Sequence, residues 1–212
     1  IRDYKRKMKY WMLMFLLAAA MPLSASERVI LVLGDSLSAA FGSDPKDGWV
    51  SLLQQRLDAR DGDWRVVNAG ISGDTTAGGL SRLPRLLELH QPQLVIVELG
   101  SNDGLRGFGF DQIRTNLQRM IALSREAGAK VILVGARLPP NYGVDYADAF
   151  HRLFLEVAEG EQVPLVPFLL EGVARDRALM QADGYHPNTV AQPRLLENVW
   201  PVLESLLKTS FR

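Results

Sequence analysis

The sequence predicts an α/β protein, a three-layer sandwich with helices on both faces of a parallel sheet, and three observations predict it. Short, strongly apolar and largely β-branched runs recur at residues 29–33, 66–67, 94–99, 131–134 and 163–166. Such continuous runs read as strands buried on both faces. Segments with helical spacing separate them, so strand and helix alternate about five times along the chain. At 212 residues, with no internal repeat and no long linker, the chain is the size of one domain.

Each element follows in order. The first strand, 29–33, leads through an irregular stretch at 43–48 to a helix at 49–57. The second strand, 66–67, is followed by a helix at 79–89, and the third, 94–99, by a loop at 101–109 and a helix at 110–127. The fourth, 131–134, is followed by a loop at 138–145 and a helix at 147–161, and the fifth, 163–166, leads eventually to a last helix at 190–207. Right-handed crossovers bring the strand C-termini to one edge, where ligands of open α/β sheets bind. The chemistry is expected there.

Composition narrows the function. Lys plus Arg and Asp plus Glu both total 24, so no excess of positive charge draws the chain to nucleic acid or to anionic lipid. A hydrophobic share of 47% against 23% charged is that of a globular protein able to bury a core. The absence of cysteine excludes disulfides, thiolate metal sites and a cysteine nucleophile.

Ahead of the domain, Lys5, Arg6, Lys7 and Lys9 precede an apolar run at 10–23, which gives way to Ser24-Ala25-Ser26. Positive, then apolar, then small is the order of a secretory signal peptide covering residues 1–26. A spanning helix is the competing reading, but the run is short of the roughly 20 residues a bilayer needs, and Pro22 interrupts it. The expected cut follows Ser26, with Ala25 as the alternative, leaving residues 27–212 as the mature domain in the periplasm or outside the cell. Met8 is a possible true start, with 1–7 an upstream artefact.

Four loops carry candidate chemistry. After the first strand, Gly34-Asp35-Ser36-Leu37-Ser38 allows a tight turn that exposes the Ser36 hydroxyl and its N–H; the bland alternative is a serine capping the next helix. After the second, Gly73 in Asn68-Ala69-Gly70-Ile71-Ser72-Gly73-Asp74-Thr75 offers an N–H to a closely approaching ligand, or simply makes a turn. After the third, Asn102 in Gly100-Ser101-Asn102-Asp103-Gly104 supplies a neutral amide donor, or forms a turn. Near the C-terminus, Asp183 and His186 stand three residues apart, so the carboxylate can hold Nδ1–H and leave Nε2 as a base. His90 and His151 read instead as surface or helix-end residues. Gly-x-Ser-x-Gly, His-Glu-x-x-His, Gly-x-Gly-x-x-Gly and the phosphate-loop pattern are all absent, which disfavours α/β-hydrolase, zinc, dinucleotide and nucleotide sites.

Taken in order, Gly34-Asp35-Ser36-Leu37, Gly73, Gly100 with Asn102 and Asp103, and Asp183 with His186 resemble the four sequence blocks of the GDSL, or SGNH, hydrolases. Ile71-Ser72-Gly73-Asp74-Thr75, Glu98-Leu99-Gly100, Asn102 to Gly107 and Leu138-Pro139-Pro140-Asn141-Tyr142-Gly143 extend the likeness toward the secreted bacterial arylesterase branch, over residues 29–207. The resemblance implies a flavodoxin-like sandwich on about five parallel strands. It implies Ser36 as nucleophile, His186 as base and Asp183 as the group orienting it, with an oxyanion hole from Ser36, Gly73 and Asn102. It also implies no metal and no organic cofactor.

The activity so implied is hydrolysis of carboxylic esters, whether aryl, acyl or lysophospholipid, and of thioesters, through an acyl-enzyme. The alternatives are a deacetylase of envelope sugar esters and an idle lipid- or glycan-binding domain. Leu105, Arg106, Pro139, Tyr142 and Tyr185 are the expected substrate contacts. Ser101 and Tyr185 depart from the residues common in the family, Gly and Ile, and are expected to alter preference. The expected partner is a small ester or lipid, with no nucleic acid and no membrane span after cleavage, and the default state is a monomer.

Overall fold

The computed structural model describes residues 28–60 and 63–211, apart from the side chain of Pro140; the expected leader lies outside them. Five strands, β1 (Arg28–Gly34), β2 (Trp64–Asn68), β3 (Leu94–Glu98), β4 (Lys130–Val134) and β5 (Leu165–Val166), form one sheet in the order β2-β1-β3-β4-β5. Every pairing is parallel. This is the flavodoxin-like order, and it reverses between β1 and β3, which opens a crevice at their C-terminal ends. The β1–β3 register pairs Gly34 with Glu98.

The helices are α1 (Trp49–Asp58), α2 (Thr76–His90), α3 (Ser101–Leu105), α4 (Phe110–Glu126), α5 (Val144–Glu161) and α6 (Gln192–Ser210). Alternation along β1 sends Leu31 and Leu33 to one face, where they pack with Leu83 of α2, Ile113 and Leu117 of α4, and Phe150 and Phe154 of α5. Ile30 and Val32 point to the other face, against Trp49 and Leu53 of α1 and Leu195 and Val199 of α6. Both faces of β1 and β3 are thus dry, which is why these strands read as unbroken apolar runs. Shortening a fully buried side chain such as Ile96 to alanine costs about 2–5 kcal/mol.

The elements match the sequence expectation, with differences at the ends. A threonine cap pulls α2 back to Thr76, since the Thr75 side chain accepts from the Gly78 N–H. The stretch expected to be irregular at 101–109 begins with the short helix α3. Among the described residues no helix is long and apolar enough to cross a membrane.

Candidate active site

Beyond β1 the chain does not enter a helix. Residues 35–41 form tight turns, and α1 begins only at Trp49, behind Gly48. Ser36 therefore caps nothing. The turn is possible because Gly34 lacks a Cβ, which would lie 2.3 Å from Ser38 Oγ and 2.8 Å from Glu98 Oε2. The Ser36 N–H and the Gly73 N–H have no acceptor among the described residues.

His186 arrives from 150 positions along the chain. Its Nε2 lies 2.9 Å from Ser36 Oγ, and its Nδ1 lies 2.6 Å from Asp183 Oδ2. The other carboxylate oxygen, Oδ1, accepts the backbone N–H groups of Tyr185 at 2.9 Å and His186 at 3.0 Å. Burial works against the Asp183 carboxylate, but the His186 ring and these two N–H donors outweigh it and lower its pKa from 3.8 to about 2. The turn is closed by Gly184 at φ +72°, a left-handed conformation that favours glycine. Gln181 braces it, with its N–H donating to the His186 carbonyl and its side chain donating to the carbonyls of Phe41 and Pro187.

The remaining donors are fixed through buried acids. Asn102 Nδ2 donates to Asp35 Oδ2 at 3.1 Å, and Asp35 Oδ1 accepts the Leu37 N–H at 3.0 Å. One amide hydrogen of Asn102 is so engaged, which orients the side chain and leaves the second for a ligand. Asp103 accepts from both the N–H and the hydroxyl of Thr76, at 2.9 and 2.5 Å, tying α3 to the start of α2. The loop with Gly73, at φ +79°, is held to the end of β1 by the Ile71 N–H on the Gly34 carbonyl at 3.1 Å.

At the end of β3 lies a further buried carboxyl. Glu98 Oε2 accepts from Ser38 Oγ at 2.7 Å and from the Asp35 N–H at 3.3 Å. Burial, with the charge of Asp35 beside it, pushes Glu98 well above the ordinary carboxylate range. Burial likewise raises Asp35 to about 6, against the hydrogen bond from Leu37 and the nearby His186 and Asn102.

A cavity of about 590 Å³ opens beside Ser36 and His186. Its apolar wall includes Leu138, Pro139, Phe168, Leu170 and Met180. Of the expected contacts, Leu105, Pro139, Tyr142 and Tyr185 line it, as does Ser101. Arg106 does not. Its guanidinium turns to the Gly73 carbonyl at 3.0 Å, so it steadies the turn that presents the Gly73 N–H.

Two further points depart from the sequence reading. His151 is buried rather than at the surface: its Nδ1 meets the Ala136 carbonyl at 3.1 Å, and the amphipathic spacing of α5 turns it inward beside Phe150. Phe41, not singled out in the sequence, packs its ring on His186 at 4.5 Å between centroids. No local pattern announces that contact, because it joins two distant loops.

A hydroxyl, an imidazole and a carboxylate in relay, beside free N–H donors at the switch point of a 2-1-3-4-5 sheet, are the arrangement of a serine acyl hydrolase. The model of the GDSL-like lipase/acylhydrolase family matches residues 32–192. The chain belongs to that family. Among GDSL relatives, it is 57% identical to the esterase TesA of Pseudomonas aeruginosa over 183 residues, 86% of this chain and 91% of the relative. It is 41% identical to the thioesterase 1/protease 1/lysophospholipase L1 of Escherichia coli over 198 residues, 93% of this chain and 94% of the relative. The crystal structure of the psychrotrophic esterase EstA from Pseudoalteromonas, inhibited by monoethylphosphonate, aligns with a TM-score of 0.82 at 41% identity, covering 86% of this chain and 100% of that one.

Proposed function

We propose that this chain is a carboxylic ester hydrolase in which Ser36 attacks the acyl carbonyl, His186 takes its proton and Asp183 holds the imidazole. The observation that carries the reading is the unbroken relay from Asp183 Oδ2 through His186 to Ser36 Oγ, at 2.6 and 2.9 Å. As the C–O bond to serine forms, the carbonyl oxygen becomes an oxyanion facing the Ser36 N–H, the Gly73 N–H and the Asn102 amide. Each such donor contributes about 2.7–4 kcal/mol to the transition state. Collapse breaks the bond to the alcohol or thiol, which leaves with the proton from His186. Water, deprotonated by the same imidazole, then hydrolyses the acyl-enzyme.

The apolar wall of the cavity supports an acyl chain as its occupant, taken in by Leu105, Pro139, Tyr142 and Tyr185. The same lining includes Arg137, Asp148 and Arg175, which can meet a polar headgroup or leaving group, so the cavity suits an acyl chain joined to a polar group. A binding domain without catalysis leaves the relay unexplained. Residues 1–26 are proposed as an export signal cut after Ser26, delivering residues 27–212 to the periplasm or beyond. N-terminal sequencing of the exported protein tests that cut.

The activity is tested with p-nitrophenyl esters from acetate to palmitate. The expected result is turnover that falls by about three or more orders of magnitude in Ser36→Ala. Equal, negligible rates for both proteins on every ester would overturn the assignment.

A further inference from the structure

The large hydrophobic side chains left in solvent are not scattered. Among the described residues they are Phe41, Ile71, Leu89, Phe108, Val144, Leu155, Tyr185 and Val190. Leu89 ends α2 at the edge where strands begin, and Leu155 lies midway along α5. The other six all belong to the edge where strands end. Phe41 follows β1, Ile71 follows β2, Phe108 follows β3 and α3, Val144 opens α5 after β4, and Tyr185 and Val190 follow β5. Each of the five segments leaving the sheet thus contributes at least one, with exposures from 38% at Phe108 to 73% at Val190. Scattered apolar residues are ordinary on a surface, whereas a set gathered at one edge is the sign of a docking face.

Three of the six join the rim to the catalytic site. Tyr185 and Val144 line its mouth, and Phe41 packs on His186 beside it. Charge selects among surfaces that this rim could meet. Apart from the buried Asp35 and Asp103 and the Asp74 paired with Arg82, the same segments carry Lys46, Arg106, Arg137, Arg175 and Arg177 against Asp44, Asp47, Glu171, Asp176 and Asp183, with Asp145 and Asp148 in the first turns of α5. There is no cationic excess, so anionic lipid gains nothing from this edge, in keeping with a net charge of zero over the chain. Mixed charges around apolar tips suit zwitterionic headgroups, between which the tips can reach acyl carbon.

We propose that the strand-end rim seats the enzyme on a zwitterionic lipid surface, with Phe41, Ile71, Phe108, Val144, Tyr185 and Val190 entering the interface and the cavity mouth facing the lipid. The proposal rests on the ester-hydrolase reading for its purpose, since an acyl chain could then pass from the surface to Ser36 without crossing water. Its geometry is independent of that reading.

The chain has no cysteine, so a single introduced one takes an environment-sensitive fluorophore cleanly. The full chain is labelled at Phe108→Cys, at Val190→Cys and, on the opposite edge, at Leu89→Cys, then mixed with phosphatidylcholine vesicles. The expected result is a blue shift at 108 and 190, none at 89, and no loss of the shift when salt rises from about 0.1 to 1 M, which would screen a charge-driven contact. Four outcomes overturn the proposal: no shift at 108 and 190; an equal shift at 89, meaning attachment through another part of the chain; a shift confined to anionic vesicles and abolished by salt; or a shift that grows with protein concentration without lipid, meaning that a second copy covers the rim. Hydrolysis of p-nitrophenyl acetate, a soluble ester, is measured on the same proteins. Its absence in the unlabelled parent would refute the catalytic reading alone and leave the label result to stand by itself.

Discussion

Replacing Asp183 by asparagine separates the orienting role of the carboxylate from its role in the turn. Asp183 serves three donors: Oδ1 takes the N–H groups of Tyr185 and His186, and Oδ2 takes the imidazole Nδ1. Asparagine has one oxygen. If that oxygen stays on the two backbone donors, the turn survives, and the amide NH₂ faces Nδ1. The imidazole then carries its proton on Nε2, which points at Ser36 Oγ as a donor and can no longer accept. The expected loss is about four orders of magnitude in kcat/KM, or about 5.5 kcal/mol. The cost to stability is much smaller. A carboxylate pKa moved from 3.8 to about 2 would represent roughly 2.4 kcal/mol without screening. With the Asp183 side chain 39% exposed, solvent reduces this to about 1 kcal/mol. Because the folded pKa is the lower one, that contribution is full above about pH 4 and disappears as pH falls toward 2. The assay is the initial rate on p-nitrophenyl butyrate at neutral pH, with a thermal melt on the same sample. A folded Asp183→Asn protein within tenfold of the parent rate would refute the reasoning.

Asn102→Ala removes one oxyanion donor and is expected to lower kcat about 10²- to 10³-fold with little change in KM, read from saturation kinetics on the same ester. Glu98→Gln keeps an acceptor for Ser38 Oγ and the Asp35 N–H while removing the ionisation. A folded-state pKa above the unfolded one gives stability that is present in acid and lost as pH rises, so the parent Tm should fall relative to Glu98→Gln as pH rises above the ordinary carboxylate range; parallel melting curves would count against a raised Glu98 pKa. Phe41→Ala strips the ring from His186 and is expected to slow p-nitrophenyl acetate hydrolysis about three- to tenfold, the equivalent of an aromatic contact of roughly 0.5–1.5 kcal/mol.

What could be read in advance follows from how far each signal reaches along the chain. The strands were legible because burial on both faces leaves an unbroken apolar run, and Asp183 with His186 because both partners sit in one turn. Ser36, Gly73 and Asn102 gave only weak local signals, each with a commonplace alternative, and gained meaning from their order. The roles of Asp35, Glu98 and Phe41 had no local signature. Glu98 closes a strand that reads as apolar, and its raised pKa comes from burial and from Asp35, 63 positions away. Arg106 reads in sequence as a loop arginine beside a site, and its bond to the Gly73 carbonyl has no signature in that local pattern, because it joins two loops 33 positions apart. His151 misled because the partner that satisfies it, the Ala136 carbonyl, belongs to the segment after β4.

The pairing of Gly34 with Glu98 has a consequence for how such a site can vary. Ser36 stands two residues beyond one member of that pair and Asn102 four beyond the other, so the hydrogen-bond ladder indexes the attacking oxygen against the amide in whole steps. One residue of slip between β1 and β3 displaces the hydroxyl by about 3.3 Å and sends each strand side chain to the wrong face. Between correct and broken alignment the ladder offers no intermediate setting. Gradual change is therefore diverted away from the strand ends into the longer segments at 138–143 and 167–180, where a wall of the cavity can be recut without touching the scale on which the reacting atoms are aligned.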